Sequence, residues 1–401
     1  MRYKIILNSH YFIATAGGTD LFIKFLNSFL INKNQQYFVL LSKNNLISIL
    51  RKILFPIKNF LIQIILKKNK EFKLWPMQKG SNEIFNFIKN KKNFRIIDGD
   101  HINFKQITHK INPDIIFPCL NPLPEFESKN IGYIFDLQHE YLPQLFDKLE
   151  IKKRRENILN VLNYSRIVIV NSIHTKNTLL KKYKKKLLSK NIFSIPFCPT
   201  VPNIYFDWNL NLKNKYEITN EYFVICNQFW KHKNHKFAIN SFLKYCSFGG
   251  THDLIMTGEL SDRRFPNYYH EIKSIIDNSN FAHRIKVLGS IEKKKQISLL
   301  RNAKALIQPT LFEGGPGGGS ANEAIAFDVA VLASNIPVNL EINTKNISFF
   351  NPYNAKELIQ LLFSAEKKMK NKTPVTILKS LSNRQNKKLS VFYEKVFQIM
   401  L

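Results

Sequence analysis

The residues best suited to chemistry lie between Gln308 and Glu341, where two carboxylates flank a glycine-rich turn. Glu313 precedes the turn, and Glu323 follows it at the point where a helix should begin. A helix N-terminus offers unpaired N–H groups and a positive dipole end to an anion. A phosphate at the turn and hydroxyls beside the carboxylates would together fit a nucleotide-sugar.

The turn holds an unusual share of the glycines in the chain. Only 14 glycines occur in 401 residues, and this one turn contains Gly314, Gly315, Gly317, Gly318 and Gly319 around Pro316. Glycine loses the most freedom on folding, so the concentration favours close approach of the backbone to a ligand. A flexible connector is the alternative. Ser320 is a candidate N-cap, and Ser320 to Glu323 fits a capping box, which leaves a purely structural role open for Glu323.

A second group of charged residues, from Phe229 to His235, follows a predicted strand and precedes its helix. Lys231, His232 and Lys233 crowd positive or protonatable groups at that helix start, where the helix dipole disfavours them unless an anion is present. Lys233 can reach a diphosphate as a point charge. The alternative is an ordinary charged helix start.

Three further turns follow predicted strands, and each has a structural alternative. Gly17 and Gly18 would let the backbone approach a ligand before the first helix. Asp136 and His139 lie just beyond a strand end, although a lone histidine is more often structural. Gly258, in a Thr-Gly-Glu turn, would border the expected nucleotide pocket. The alternative is an ordinary turn in which glycine tolerates an unusual dihedral angle.

Short apolar runs alternate with amphipathic segments, a pattern that indicates parallel sheets with helical crossovers. The predicted strands are Tyr3–Leu7, Tyr37–Leu41, Arg95–Ile97, Ile115–Phe117, Gly132–Phe135, Arg166–Val170, Tyr222–Cys226, Asp253–Met256, Ile285–Leu288, Ala305–Gln308 and Val329–Ala333. The predicted helices are Thr19–Asn32, Asn82–Asn90, Lys152–Asn163, Ile173–Tyr183, Phe237–Tyr245, Lys293–Arg301 and Leu389–Leu401. We therefore predict two Rossmann-like halves, joined by a proline-rich connector near residue 205, with ligands at the carboxyl ends of the strands.

The chain is strongly basic, with 60 Lys and Arg against 29 Asp and Glu and a net charge of +31. Such a charge favours polyanionic partners, but enrichment in Lys, Asn, Ile and Phe throughout also fits an AT-rich coding bias. Leu46–Lys70 is an apolar stretch studded with lysines, and it fits either an anionic membrane surface or a docked helix kinked at Pro56. No apolar run is long enough to span a bilayer.

Four cysteines, Cys119, Cys198, Cys226 and Cys246, are widely separated and form no metal-type pair. Reduced, mostly buried thiols in a cytosolic protein are the expectation. The N-terminal segment is too short in apolar residues for a signal peptide and fits a first strand better.

Taken together, these segments resemble the retaining GT4 family of glycosyltransferases, also described as glycosyl transferases group 1. The resemblance is most specific in CNQFWKHKNH, MTGELSDRRFPNYYHEI, LIQPTLFEGGPGGGSANEAIA and LASNIPVNLE. It implies an α/β protein of the GT-B fold, with two Rossmann-like domains whose parallel sheets face across a cleft. The expected domains are 1–205 on the acceptor side, 206–375 for the nucleotide-sugar, and a tail helix, 376–401.

The resemblance also implies roles for individual residues. Catalytic roles fall to His139 near the anomeric carbon, Lys233 on the diphosphate and Glu313 on the donor-sugar hydroxyls. Donor-binding roles fall to Gly17, Gly18, Lys231, Gly258, Gly318, Gly319, Ser320 and Glu323, with Glu323 on the ribose. Two departures stand out: nine residues separate Glu313 from Glu323 where the family has seven, and Gln228 occupies the place of an expected arginine, which Lys231 or Arg263 would have to replace.

The implied activity is transfer of a sugar from a nucleotide-sugar to an acceptor hydroxyl with retained configuration, as in surface polysaccharide synthesis. The expected partners are the donor, a glycan or lipid-linked acceptor and an anionic membrane surface, with no cofactor, no obligate metal and no specific nucleic acid. The expected location is the cytoplasm, with a peripheral membrane contact left open. Two alternatives are another nucleotide-sugar reaction on this fold, such as epimerisation, and a basic nucleic-acid-binding protein.

Overall fold

The computed structural model describes residues 3–13, 15–32, 35–41, 77–99, 103–184, 191–369 and 373–401. The predicted membrane-surface segment Leu46–Lys70 lies outside these described residues, so both of its interpretations stay predictions. The chain divides into two compact units. One comprises Met1–Gly132, Tyr164–Arg166 and Met400–Leu401, and the other comprises Tyr133–Asn163 and Ile167–Ile399.

Strands and helices alternate along the chain as the apolar pattern predicts. The strands are β1 Lys4–Asn8, β2 Gln36–Leu41, β3 Phe94–Asp98, β4 Ile115–Cys119, β5 Asn130–Ile134, β6 Ile167–Val170, β7 Asn191–Ser194, β8 Tyr222–Cys226, β9 Asp253–Thr257, β10 Ile285–Val287, β11 Ala305–Gln308, β12 Ala330–Ser334 and β13 Ile347–Phe350. The helices are α1 Ala16–Phe29, α2 Met77–Ile88, α3 Phe104–Ile111, α4 Gln138–Tyr141, α5 Lys148–Asn163, α6 Ile173–Lys182, α7 His235–Ser247, α8 Tyr268–Asp277, α9 Lys293–Asn302, α10 Gly318–Ala326, α11 Ala355–Lys367 and α12 Val375–Met400.

The strands form two sheets with the same winding order. A seven-stranded sheet runs β3-β2-β1-β4-β5-β6-β7, and a six-stranded sheet runs β10-β9-β8-β11-β12-β13. The strand pairs with a defined register are parallel in both sheets. The order reverses between β1 and β4 and again between β8 and β11, and the carboxyl ends of strands at such switch points bind ligands. The predicted fold class, two Rossmann-like domains with parallel sheets, is confirmed.

Complete burial explains why the central strands contain only apolar residues over most of their length. Val224 and Ile225 of β8 and Leu306 and Ile307 of β11 are fully buried. Helices α9 and α10 cover one face of this sheet and α7 covers the other, through the two apolar clusters to which these strands contribute. Parallel strands covered on both faces require continuous apolar runs, because neither face meets water.

The structure adds elements that the sequence pattern did not predict. The strands β7 and β13 have only four residues each, which leaves little periodicity to detect. The final helix begins at Val375, one residue before the expected tail helix 376–401 and well before Leu389, where the apolar spacing becomes evident. Gly17 and Gly18 lie within the first turn of α1 rather than before it. The four cysteines are free and buried, as predicted.

Among the described residues, no helix has the length and apolar character needed to cross a membrane.

Core packing at Leu306 gives a test of the six-stranded sheet. We expect Leu306→Ala to lower the free energy of unfolding by about 2–5 kcal/mol, because the fully buried side chain leaves a cavity. Leu340→Ala serves as the control, since Leu340 is 57% exposed and its loss should change stability by about 0.5 kcal/mol or less. Urea unfolding followed by tryptophan fluorescence measures both, and equal midpoints would contradict the assignment of Leu306 to the core.

Candidate functional site

The centre of the candidate site is an ion pair between Lys233 and Glu313. Lys233 ends a short 3-10 turn, Lys231–Lys233, that follows β8, and Asn234 then adopts a left-handed conformation (φ 58°) that leads into α7. The Lys233 Nζ lies 2.6 Å from the Glu313 Oε1, and both side chains are about 10% exposed or less. Charges so deeply buried require a partner, because either one alone would pay the full cost of leaving water. The sequence identified both residues but not their contact.

Gln308, the last residue of β11, connects the parts of the site, and the sequence reasoning missed it. Its Nε2 donates to Glu313 Oε1 at 3.0 Å and to the carbonyl of Gly317 at 3.0 Å. Its Oε1 accepts from Asn227 Nδ2 at 2.9 Å and from Ser320 Oγ at 3.3 Å. A polar residue closing an otherwise apolar strand was the available signal. Through this amide, the loops after β8 and β11 share one hydrogen-bond network.

The glycine turn bends into α10 through two left-handed residues. Gly317 has φ 66° and Gly318 has φ 63°, a region that residues with a Cβ rarely adopt. A Cβ at Gly318 would also lie only 3.1 Å from Glu313 Oε2. Both constraints explain the glycines without a ligand. At Gly319, however, a Cβ would meet no atom of the described residues within 4 Å, so the start of α10 is open there.

The predicted capping arrangement at the start of α10 is wrong. The helix begins at Gly318 with Gly317 as its N-cap, so Ser320 is the third helical residue and its hydroxyl points to Gln308. The left-handed glycines turn the chain into the helix earlier than a serine cap would. Glu323 lies one turn further on, where its Oε1 contacts Lys293 Nζ of α9 at 2.5 Å. A reciprocal capping box therefore does not account for Glu323.

The glycine turn is also tied to the start of α6. The carbonyl of Gly314 accepts from Ser172 Oγ at 3.0 Å and from Thr175 Oγ1 at 3.1 Å. The carboxylate of Glu341 accepts from the backbone N–H groups of Ile173 and His174 at 3.0 and 2.7 Å. Four hydrogen bonds thus hold the two loops to the first turn of one helix.

Two other predicted residues, Lys231 and Gly258, make local contacts that do not involve the ion pair. The exposed Lys231 places its Nζ 4.3 Å from the centroid of the Phe265 ring and donates its backbone N–H to Asp262. Gly258 has φ 145°, and a Cβ there would lie 2.0 Å from the carbonyl oxygen of Asn227, so no other residue fits. These contacts explain the positions without a ligand, and the donor-binding roles of Lys231 and Gly258 stay predictions.

His139 and Asp136 both follow β5, as predicted. Asp136 Oδ1 accepts from the backbone N–H of Gln138 at 2.9 Å, a local turn contact that needs no catalytic role. The His139 side chain is 1% exposed, and burial holds its pKa below the usual value. Neither of its ring nitrogens makes a hydrogen bond among the described residues, and Nε2 lies 3.5 Å from Glu140 Oε1. A buried imidazole without a hydrogen bond is uncommon, because buried polar atoms are normally satisfied.

Gly17 and Gly18 belong to the other compact unit. Thr15 caps α1 by accepting from the Gly18 N–H at 3.1 Å, and a Cβ at Gly18 would lie 2.5 Å from the carbonyl oxygen of Phe12. Close packing against Phe12 is thus sufficient to require glycine at this position. Their predicted role against the diphosphate stays a prediction.

Histidines near Lys233 are held neutral by their surroundings. Burial lowers the pKa of His232 well below its usual value, and the charges of Lys233 and Arg264 add to the effect. Burial likewise lowers the pKa of His235 to about 3, with a further contribution from Lys233. The fixed positive charges at this helix start therefore belong to the lysines. No group of three or more potential metal ligands occurs in the described ranges.

The part of the chain that contains this arrangement matches a known protein family. Residues 208–374 match the family model of glycosyl transferases group 1, and these residues hold the ion pair, the glycine turn and Glu323. A search of curated proteins gave no significant match.

Several solved structures share the fold over nearly the whole chain. Sucrose-phosphate synthase from Thermosynechococcus elongatus superposes with a TM-score of 0.62 at 15% identity, covering 99% of this chain and 100% of that one. A glycosyltransferase from Rickettsia africae gives 0.62 at 15% identity, covering 100% and 98%. Anabaena HepE in complex with UDP and glucose gives 0.64 at 10% identity, covering 99% of both chains. At these identities the likeness shows the GT-B fold.

The depressed pKa of His235 predicts a pH dependence of stability. Unfolding restores a histidine pKa near 6.5, so the unfolded state binds one more proton between pH 6.5 and about 3. Stability therefore falls as the pH drops through this range, with a slope of up to about 1.4 kcal/mol per pH unit from this proton. We expect His235→Phe to reduce that slope by nearly this amount in urea unfolding at pH 7, 6 and 5. Identical slopes in both proteins would contradict the neutral buried imidazole.

Proposed function

We propose that this protein is a retaining glycosyltransferase of the GT4 family that transfers a sugar from a nucleotide-sugar to an acceptor hydroxyl. The observation that carries the proposal is the buried Lys233–Glu313 pair beside the open, glycine-lined start of α10. A cation and free N–H groups suit a phosphate, and a carboxylate suits hydroxyls. The match of residues 208–374 to glycosyl transferases group 1 supports the same conclusion.

The donor is proposed to occupy the site with its diphosphate at Lys233 and α10. The Lys233 ammonium would exchange part of its contact with Glu313 for phosphate oxygens, and the N–H groups of Gly319 and Ser320 at the helix start would face the same charge. Glu313 would then accept hydrogen bonds from sugar hydroxyls, and Glu323, held by Lys293, from the ribose. The complexes of HepE with UDP and glucose support UDP-sugars as the first donors to test.

Catalysis is proposed to rest on stabilising the departing diphosphate. The bond between the anomeric carbon and the phosphate oxygen breaks, and negative charge builds on the diphosphate. Preorganised cations and N–H groups aimed at that charge lower the barrier without reorganising. The acceptor hydroxyl attacks from the face that the diphosphate leaves and gives its proton to the departing phosphate oxygen, so the configuration is retained. The neutral His139 would lie beside the sugar, and Lys231 and Gly258 would complete the donor site.

The biological role is proposed to be synthesis of a surface polysaccharide or a related glycan on a glycan or lipid-linked acceptor. No metal or cofactor is required by this scheme, because Lys233 and the helix start supply the positive charge. Peripheral contact with an anionic membrane through Leu46–Lys70 is part of the same proposal.

A thermal-shift screen against UDP-, GDP-, ADP- and dTDP-sugars tests the donor. A true donor binds the folded state and raises its melting temperature, by mass action. Product analysis then follows with the stabilising donor and a panel of glycan acceptors. A new glycosidic bond with retained configuration supports the proposal, whereas an altered sugar without a new bond indicates epimerisation. A protein that no nucleotide-sugar stabilises would not fit the proposal.

Substitutions in the site give the matching kinetic prediction. We expect Lys233→Ala and Glu323→Ala each to lower sugar transfer at least about 10-fold, or about 1.4 kcal/mol in the barrier. Lys236→Ala is the control, because Lys236 lies on the first turn of α7 with a partly exposed side chain paired to Glu271. Initial rates are compared at matched near-ultraviolet circular dichroism, which checks that each variant is folded. Unchanged turnover in both site variants would remove the site assignment.

A further inference from the structure

Two arginines from different elements pack on one aromatic ring in the second unit. The guanidinium carbon of Arg154, on α5, lies 4.7 Å from the centroid of Phe146, and that of Arg264, in the loop after β9, lies 4.4 Å from it. Their side chains are 36% and 18% exposed. The two like charges repel each other, which helps to lower the pKa of Arg264 after burial, the main cause. Such a pair needs compensation by negative charge.

The nearby carboxylates compensate the charge but not the hydrogen bonding of Arg264. Arg154 contacts Glu150 at 3.3 Å and Asp136 at 3.9 Å. Arg264 has Asp262 at 4.0 Å, too far for a hydrogen bond. Both oxygens of Asp262 already accept backbone N–H groups, Oδ1 from Arg264 and Oδ2 from Lys231. The Arg264 Nη1 is buried and has no hydrogen-bond partner among the described residues.

A buried histidine lies against the same ring. Neither ring nitrogen of His139 makes a hydrogen bond within the described part of the chain, and its Nε2 lies 3.5 Å from Glu140 Oε1. His139 packs edge-on against Phe146, with ring centroids 6.4 Å apart. The charges of Arg264 and Arg154 both reach His232, where they help to lower its pKa. We call Arg154, Arg264 and His139, which pack around Phe146, the arginine cluster.

The chemistry of these atoms indicates which kind of group they would bind. An arginine can only donate hydrogen bonds, and a neutral imidazole donates through one of its nitrogens. A buried donor left unsatisfied costs free energy, so Arg264 Nη1 beside a second arginine indicates a negatively charged group that accepts hydrogen bonds. A phosphate group has three or more acceptor oxygens and a negative charge, and guanidinium groups bind it through parallel N–H bonds.

We propose that the arginine cluster binds a phosphoryl group of a substrate. The inference rests on the proposed glycosyltransferase function, and it assigns to this reaction two residues, Arg154 and Arg264, that the sequence reasoning did not name. Two substrates would carry the group: the donor, through its diphosphate, or an acceptor that bears a phosphate ester. Arg263, predicted to replace the arginine absent at Gln228, is exposed, whereas Arg264 next to it turns inward.

Binding of inorganic phosphate, measured by isothermal titration calorimetry on the full chain at low ionic strength, tests the inference. We expect Arg154→Gln and Arg264→Gln each to weaken phosphate binding at least 10-fold, and Arg264→Lys to keep part of the affinity. Lys153→Gln is the matched control, because it removes one positive charge from the exposed neighbour of Arg154 on the same helix. Its affinity should match that of the unmodified protein. Unchanged affinity in both arginine variants, at unchanged melting temperature, would overturn the inference.

Competition identifies the source of the phosphate. If UDP displaces inorganic phosphate, the cluster holds the donor diphosphate. If UDP and phosphate bind together, the cluster holds a phosphate on the acceptor, and phosphorylated sugars should then bind more tightly than the free sugars. Arg154→Gln and Arg264→Gln should erase that preference. Both results support a phosphoryl site and differ only in its substrate.

The two proposals fail separately. The unmodified protein can bind nucleotide-sugars and transfer their sugar while the arginine variants bind phosphate as tightly as the unmodified protein does. That result supports the proposed function and contradicts the phosphoryl site. If no nucleotide-sugar binds but phosphate affinity still depends on Arg154 and Arg264, the site stands and the transfer reaction falls. The direct phosphate titration separates these cases because it requires no turnover.

Discussion

The burial of one lysine beside one glutamate constrains most of the second sheet's carboxyl edge. Lys233 and Glu313 meet at 2.6 Å with little exposure to water, so neither can leave without stranding the other. The loops that carry them must therefore keep a fixed separation. Gln308 maintains this separation, because its amide hydrogen-bonds to Glu313, to the glycine turn and to Ser320 at the start of α10. Gly317 and Gly318, both with positive φ, then carry the backbone past this carboxylate into α10.

The same constraint sets the electrostatic state of the neighbouring residues. Two lysines at the start of α7 oppose the helix dipole, and the histidines between and after them, His232 and His235, stay neutral because burial and the lysine charge both disfavour protonation. Glu313 offsets part of this positive charge. An anionic ligand would offset more of it, at the cost of loosening the contact to Glu313. The affinity for such a ligand therefore depends on how much more favourable the contact of Lys233 with the ligand is than its contact with Glu313.

Much of this arrangement was readable from the sequence, and the reasons for the exceptions are physical. Strands β8 and β11 were predicted with their exact bounds, because complete burial imposes unbroken apolar runs. Lys233 and Glu313 were identified from their places after those strands, but nothing in the chain showed that they touch. Ser320 was assigned to the wrong helix position, since local residue preference cannot show that two left-handed glycines start the helix earlier. The inward turn of Arg264 rather than Arg263 depends on a loop conformation that no periodicity reports.

That loop conformation depends on Asp262, whose two oxygens accept the backbone N–H groups of Lys231 and Arg264. A single carboxylate thereby sets the positions of two separate cationic loops. In evolutionary terms the two loops are not independent. A change in the length or conformation of one loop that displaces Asp262 also disturbs the other loop. Diversification of substrate preference around this edge is then expected to proceed by exchanging side chains on a fixed backbone, not by remodelling the loops.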